Sequence, residues 1–310
     1  MFSLVFPGQG SQTVGMARDF YQNFDLVKKL FNHADEILNV KLSEIVLEGP
    51  RDDLDMTENT QPAIFLVGYS IFQVAIREFN IKLNEASFAA GHSLGEYTAL
   101  SCLGSLKFSD GLKVLKIRGK SMQNAVPIGE GGMIAVIGIK IEELDKIISE
   151  NKNNFNCFIA NDNTIGQIVV SGKTDDLKKF TDILKEKKIK NIKLPVSAPF
   201  HCPLMNKASK IMRDEIQKLE IDMPKIKILS NVNAKEASDV SDLKKLLVSQ
   251  IESRVRWREI ISRIINHDCN NFIEIGPGKV LSGMIKRVAK NLCVNSINSV
   301  DDMRNFKIND

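Results

Sequence analysis

A serine held between two glycines constrains this chain more than any other feature of its sequence. Phe88-Ala89-Ala90 is a short apolar run typical of a strand, Gly91-His92-Ser93-Leu94-Gly95 follows it, and a helical pattern begins at Glu96. A G-x-S-x-G pentapeptide between a strand and a helix predicts a sharp turn that exposes the serine hydroxyl at the helix N-terminus. There the backbone N–H of Leu94 could stabilise a developing oxyanion. The pattern favours an α/β fold with Ser93 as an acyl-forming nucleophile over a serine that only caps the helix.

The order of strand and helix signals changes at about residue 131. Before it, strands and helices alternate, which is typical of a parallel sheet with crossover helices. After it, the pattern reads strand, helix, strand, strand, helix, strand as far as residue 196, the order of a ferredoxin-like unit. Longer helices return after Pro199.

These patterns predict an α/β chain with two domains. The larger would be an α/β-hydrolase-like core with a parallel sheet, formed by residues 1–125 and 198–310. The smaller would be a ferredoxin-like (βαββαβ) domain, residues 126–197, inserted into the first. Because ligands often bind in clefts between domains, we expect the functional residues at both borders of the insert.

Composition excludes several classes of protein. The longest apolar stretch, residues 63–76, is interrupted by polar residues and is too short to span a bilayer. Five scattered cysteines without a C-x-x-C pair favour a reducing compartment and no structural zinc site. The formal net charge of +4 is mild, and lysines on solvated helix faces explain it. We expect a cytoplasmic monomer that binds neither membrane nor nucleic acid.

The general base that a serine nucleophile needs can be sought among only four histidines. His33 lies in an amphipathic helix and His267 in a polar run, so both are predicted at the surface. His92 should leave the turn away from Ser93 and could shape a pocket instead. His201, in a corner stiffened by two prolines, remains as the candidate. No acidic residue is near it in sequence, so an amide or a backbone carbonyl could orient its ring.

Arg118 is the one cation predicted to be buried. In the helix from about residue 110 to 124, three lysines share a solvated face, whereas Arg118 lies on the opposite stripe with Leu115 and Met122. A buried guanidinium needs an anionic partner. That partner could be an internal carboxylate or the carboxylate of a substrate, and the sequence alone leaves both open.

Seven ordered segments together resemble a known family. They are residues 6–12 (including Gln9), 61–63 and 91–96, then Arg118, Phe200-His201, Gln250, and residues 274–278. In these segments the chain resembles the malonyl-CoA:acyl carrier protein transacylases of bacterial type II fatty-acid synthesis, and the resemblance covers nearly all of its length.

The resemblance implies a ping-pong reaction without a bound cofactor or metal. Ser93 would take malonyl from malonyl-CoA and pass it to the phosphopantetheine thiol of holo acyl carrier protein, with His201 as base. Backbone N–H groups of Leu94 and Gln9 would form the oxyanion hole, and the backbone carbonyl of Gln250 would orient His201. The resemblance also implies that Arg118 pairs with the malonyl carboxylate and that the bulk of Phe200 disfavours a branched acyl group.

Two other functions compete with this interpretation. A serine thioesterase or esterase would use water as the second acceptor, but in α/β-hydrolases the histidine comes late, whereas here much of the chain follows His201. A catalytically silent module that binds a carrier protein would not need Ser93, His201 and Arg118 together.

Overall fold

The structure is a computed structural model that describes residues 1–196 and 198–307. Ser197, at the predicted end of the inserted domain, and residues 308–310, at the predicted end of the large one, lie outside the described residues.

The strands are β1 (Ser3–Phe6), β2 (Phe88–Gly91), β3 (Gly131–Ile137), β4 (Cys157–Thr164), β5 (Gln167–Lys173), β6 (Lys190–Lys193), β7 (Lys227–Leu229), β8 (Asn271–Ile275) and β9 (Cys293–Ile297). The α-helices are α1 (Arg18–Asn23), α2 (Asp25–Leu38), α3 (Leu42–Leu47), α4 (Arg51–Asp55), α5 (Thr57–Arg77), α6 (Gly95–Cys102), α7 (Phe108–Gln123), α8 (Ile141–Glu150), α9 (Thr174–Glu186), α10 (Asn206–Lys218), α11 (Val240–Ser249), α12 (Trp257–Ile265), α13 (Val280–Val288) and α14 (Val300–Asn305).

A parallel sheet with the strand order β7-β2-β1-β8-β9 forms the larger half of the described chain. Every residue of β1 and β2 is buried, as expected for a parallel sheet that helices cover on both faces. Strands from before and after the insert lie side by side in this sheet. The predicted α/β fold with a parallel sheet is confirmed.

A separate antiparallel sheet has the order β4-β5-β3-β6. Alternate residues of its strands point to opposite faces. Ile134 and Val170 pack with apolar residues of α8 and α9, whereas Met133 and Val169 point away from these helices toward the parallel-sheet side. The sheet therefore buries one face under its own helices and presents the other to the neighbouring unit.

The long core helix α5 begins earlier than the sequence indicated. Thr60, two residues before Pro62, fits the sequence pattern of an N-cap followed by a proline in the first turn and predicts a start there, but the helix starts at Thr57 and contains Pro62. The Thr60 hydroxyl donates to the backbone carbonyls of Leu54, at 2.6 Å, and Met56, at 3.1 Å. The predicted start was wrong because a buried threonine can bond backward to carbonyls within a helix as well as cap its N-terminus.

Backbone bonds join strand β4 of the antiparallel sheet to the segment that precedes α12. Val255, just before α12, donates its backbone N–H to the carbonyl of Ala160 at 2.8 Å and accepts from the N–H of Asp162 at 2.9 Å. The Asp162 carboxylate is buried and pairs with Arg258 at 2.8 Å. These bonds fix the position of β4 beside the parallel-sheet unit, and a cleft lies between them.

Among the described residues, no helix combines the length and apolar character needed to cross a bilayer.

Candidate active site

The turn between β2 and α6 holds Ser93 in a left-handed backbone conformation with φ of 54°. A Cβ atom on Gly91 would lie 1.8 Å from the carbonyl carbon of Gly95, and one on Gly95 would lie 2.2 Å from the carbonyl oxygen of Phe6. Only glycine fits at either position. Asn231 ties the turn from outside, because its Oδ1 accepts from the Ser93 N–H and its Nδ2 donates to the Gly91 carbonyl, both at 2.7 Å.

The Ser93 hydroxyl and the His201 imidazole form a hydrogen bond of 2.8 Å between Oγ and Nε2. The other ring nitrogen, Nδ1, lies 2.9 Å from the backbone carbonyl of Gln250. A carbonyl can only accept, so Nδ1 carries the proton and Nε2 is left to accept from the serine. Gln250 thus occupies the position that a carboxylate has in a serine–histidine–acid triad.

Burial and the nearby positive charge of Arg118 lower the pKa of His201 to about 3. The imidazole is therefore neutral near pH 7 and able to accept a proton from Ser93. His201 is only 5% exposed.

Arg118 lies fully buried behind the serine. Its Nη1 donates to Gln61 Oε1 at 2.7 Å, and its Nη2 donates to Gln250 Oε1 at 2.8 Å and to Ser93 Oγ at 3.1 Å. The guanidinium also faces the Tyr97 ring, 5.6 Å from its centroid. Within the described part of the chain no carboxylate pairs directly with Arg118. An internal carboxylate therefore does not satisfy Arg118 by direct contact in this structure.

Two backbone N–H groups are available near the serine. The N–H of Ser93 itself is bonded to Asn231. The N–H groups of Gln9 and Leu94 have no intramolecular acceptor within residues 1–196 and 198–307. Gln9, Ser93 and Leu94 line one cavity. The arrangement can offer two donors to an oxyanion formed at an acyl group on Ser93.

This space, which we call the central cavity, has a volume of about 340 Å³. Ser93, His201 and Gln61 contribute polar groups to it. Apolar side chains form much of the rest of its walls: Met122, Met133, Ala135, Val169, Leu194, Val196 and Phe200. Further polar side chains also line it: Gln9, Gln12, Arg51, Asp55, His92, Asn161, Asn163 and Gln167. A concave pocket in which polar groups converge between apolar side chains is typical of a small-molecule site.

Residues 3–307 match the model of the acyl transferase domain family. The chain is 38% identical over 292 residues to the malonyl CoA-acyl carrier protein transacylase of Bacillus subtilis, covering 94% of this chain and 91% of that protein. It is 37% identical over 300 residues to the enzyme of the same name from Haemophilus influenzae, covering 96% of each.

The chain belongs to the malonyl CoA-acyl carrier protein transacylase family.

Solved structures of the family share the fold. The acyl-carrier-protein S-malonyltransferase of Bartonella henselae superposes with a TM-score of 0.94 at 36% identity, and the match covers 98% of both chains. A malonyl-transacylase solved in complex with a type II polyketide synthase acyl carrier protein gives a TM-score of 0.93 at 34% identity, covering 98% of this chain and 97% of that one.

The other histidines lie away from the Ser93 hydroxyl. His33 has 55% of its side chain exposed, and His267 is also exposed. His92 lines the central cavity, but its Nε2 bonds to Asn163 Oδ1 of β4 at 2.9 Å, across the cleft. Burial lowers the pKa of His92. A larger cavity of about 620 Å³ reaches His201 from another direction and does not include Ser93.

Three residues of the site were missed by reasoning from the sequence. Gln61 and Glu96 both lie in segments that resemble the family, so a signal was present, but neither was given a role. Asn231 follows β7 without any surrounding motif, and its contact with the Ser93 turn joins positions 138 apart in sequence. Nothing in the sequence alone marks it.

No group of three or more histidine, cysteine, aspartate or glutamate side chains in the described residues could hold a metal ion.

Proposed function

We propose that this chain transfers a malonyl group from malonyl-CoA to the phosphopantetheine thiol of holo acyl carrier protein, through an ester on Ser93. Membership of the family supports the reaction. The observation that carries the choice of acyl group is Arg118, a buried cation that bonds only to neutral groups and donates to the reacting hydroxyl.

In the first half-reaction, His201 Nε2 takes the proton of Ser93 as Oγ attacks the thioester carbonyl carbon. The oxyanion that forms accepts hydrogen bonds from the N–H groups of Leu94 and Gln9. When the carbon–sulfur bond breaks, the proton on His201 passes to the departing coenzyme A thiolate. The Gln250 carbonyl stabilises the imidazolium that exists between these two transfers.

The second half-reaction reverses the first with another thiol. His201 takes the proton of the phosphopantetheine thiol, the thiolate attacks the malonyl ester, and Ser93 recovers its proton as the leaving group. The same oxyanion donors serve both steps. Because the coenzyme A and phosphopantetheine thiols never occupy the site together, one cavity is enough for both.

Arg118 would select malonyl by charge. Its two terminal nitrogens now donate to amide and hydroxyl oxygens, which are weaker acceptors than a carboxylate. An acetyl group has no carboxylate and would leave the guanidinium as it is, so it gains nothing from this site. We further propose that the bulk of Phe200, which lines the central cavity, disfavours a branched acyl group.

The finer description of the fold is also a proposal. The antiparallel sheet has its first and third strands in the centre and helices α8 and α9 on one face, which supports a ferredoxin-like unit inserted into an α/β-hydrolase-like core. The domain boundaries, the monomeric state, the cytoplasmic location and the absence of a cofactor stay predictions.

Incubation with malonyl-CoA labelled in its malonyl group tests the proposal. We expect label on the peptide that contains Ser93 in the wild type and in Ser149→Ala, an exposed serine control, and none in Ser93→Ala. An active wild type that carries no label at Ser93 would rule out the ester intermediate. A labelled enzyme that yields only free malonate in the presence of holo carrier protein would favour a thioesterase.

A further inference from the structure

Glu96 is a buried carboxylate to which the mechanism above gives no role. It lies in the first turn of α6, three residues after Ser93, and is 1% exposed. Its Oε2 accepts from the backbone N–H of Asn231 at 3.1 Å and from Nε2 of Gln250 at 2.7 Å. A carboxylate this deep in a protein needs a positive partner, yet none is bonded to it directly.

The side-chain amide of Gln250 lies between Glu96 and Arg118. Its oxygen accepts from Arg118 Nη2 at 2.8 Å, while its nitrogen donates to Glu96 at 2.7 Å and to the Ser93 carbonyl at 3.1 Å. The amide dipole is thus aligned with its negative end toward the cation and its positive end toward the carboxylate. Such an arrangement transmits charge stabilisation between two ions that do not touch.

We propose that Glu96 is the internal counter-ion of Arg118, acting through the Gln250 amide, and that it sets how tightly the site holds a substrate carboxylate. This inference rests on the proposed function. The Glu96 side chain bonds to none of the reacting atoms and does not line the central cavity, so Glu96 is a positioning residue. Two anions then balance the charge of Arg118. Glu96 does so through the Gln250 amide that lies between them, and the substrate carboxylate does so by direct contact.

A substrate carboxylate and an ionised Glu96 are both stabilised by the positive charge of Arg118, so substrate binding and protonation of Glu96 are linked. Burial raises the pKa of Glu96 to about 7, and Arg118 opposes this rise. Two other ionisable groups bear on Glu96 and Arg118. Burial raises the pKa of Tyr97, in helix α6 with Glu96, to about 12, so Tyr97 stays neutral. His201, on the far side of Gln250, is also neutral. As the pH rises through about 7, Glu96 ionises, so affinity for a malonyl group should fall.

Calorimetric binding of malonyl-CoA and acetyl-CoA to full-length Ser93→Ala, which cannot be acylated, tests this linkage between pH 6.0 and 8.5. We expect the Kd of malonyl-CoA to rise roughly fivefold or more over this range. The Kd of acetyl-CoA reports any titration of the shared coenzyme A portion, so the ratio of the two constants isolates the acyl carboxylate.

In the double variant Ser93→Ala/Glu96→Gln, the ratio of the Kd values of malonyl-CoA and acetyl-CoA should no longer depend on pH. A glutamine oxygen can still accept from Asn231 and Gln250, so the bonds are kept and only the charge is lost. Malonyl-CoA should bind at every pH as it does to the parent at pH 6.0. Glu143→Gln, on the exposed face of α8, removes the same charge far from the bonds described here and should behave as the parent.

A ratio that does not change with pH in the parent would overturn the inference, and this readout remains even if Glu96→Gln does not fold. A pH dependence that survives in Glu96→Gln would also overturn it, since another group would then be titrating. Failure of the proposed function is distinguishable, because it would appear in the wild type as absent malonyl transfer to holo carrier protein.

Discussion

The two walls of the central cavity differ in chemistry. The wall from the parallel-sheet unit carries Ser93, Gln9 and the groups behind them, Arg118 and Gln250, all joined by hydrogen bonds or exposed as donors. The wall from the antiparallel sheet combines apolar side chains such as Val169 with the neutral amides of Asn161 and Asn163. The difference teaches that bond making depends on one unit, while the other unit mainly gives the cavity its shape.

The largest effect should come from removing His201, the base on the wall that the parallel-sheet unit provides. We expect His201→Ala to lower the rate constant for acylation of Ser93 by about a thousandfold, because the Ser93 hydroxyl would lose the proton acceptor to which it is bonded. Single-turnover acylation with malonyl-CoA measures this loss. His33→Ala, the same change at an exposed histidine, should leave the rate unaltered, and a comparable loss there would show that the effect is not local.

Removal of the buried cation should come next. Arg118→Ala is expected to lower kcat/KM for malonyl-CoA by roughly a hundredfold, since the proposed charge-assisted contact with the substrate carboxylate would be lost. The rate with acetyl-CoA, measured in competition, should change far less. Lys120→Ala removes an exposed charge from the same helix and is the matched control. If both substrates lost activity equally, Arg118 would be a structural residue only.

The buried histidine should also make stability depend on pH. The pKa of His201 is about 3 in the folded protein, below its ordinary value of 6.5, so the unfolded chain binds a proton more readily. The stability that depends on the neutral ring is complete above pH 6.5 and is lost as the pH falls toward 3. Urea unfolding measured from pH 7 to 4 should therefore show that the difference in free energy of unfolding between the wild type and His201→Ala becomes smaller as the pH falls. A difference in unfolding free energy that does not change with pH would contradict the lowered pKa of His201.

The smallest catalytic effect should come from the wall that the antiparallel sheet provides. Val169→Ala is expected to raise KM with kcat nearly unchanged, a change of less than about tenfold, because the wall contributes uniform binding. Val170→Ala makes the same truncation on the opposite face of β5, beneath α8 and α9. Both variants should lose about 2 kcal/mol of stability, but only the first should alter KM. A large fall in kcat for Val169→Ala would blur the distinction between the walls.

The local features of this site could be read from the sequence because neighbouring residues create them. The strand, the glycines and the helix around Ser93 are contiguous, and the close approach of Gly91 to Gly95 requires the glycines. The burial of Arg118 followed from helical periodicity in the same way, since side-chain direction repeats along a helix. The α/β fold followed from alternating signals.

Features that depend on distant contacts could not be read in this way. Elimination named His201, but its 2.8 Å bond to Ser93 joins positions 108 apart, and only the folded chain brings them together. The link from Glu96 to Gln250 joins positions 154 apart. The early start of α5 could not be predicted because Thr60, two residues before Pro62, fits a helix cap as well as a position inside the first turns of a helix. Sequence patterns record local geometry, whereas the charge network here is tertiary.

The most direct test isolates the acylated enzyme and follows the fate of its label. Malonyl-labelled enzyme, freed of coenzyme A, is mixed with holo carrier protein, with carrier protein lacking phosphopantetheine, or with buffer. We expect rapid transfer of the label to the holo carrier thiol and slow loss in the other two mixtures. Loss of the label to water at the same rate in all three would contradict a transacylase and identify the chain as a hydrolase.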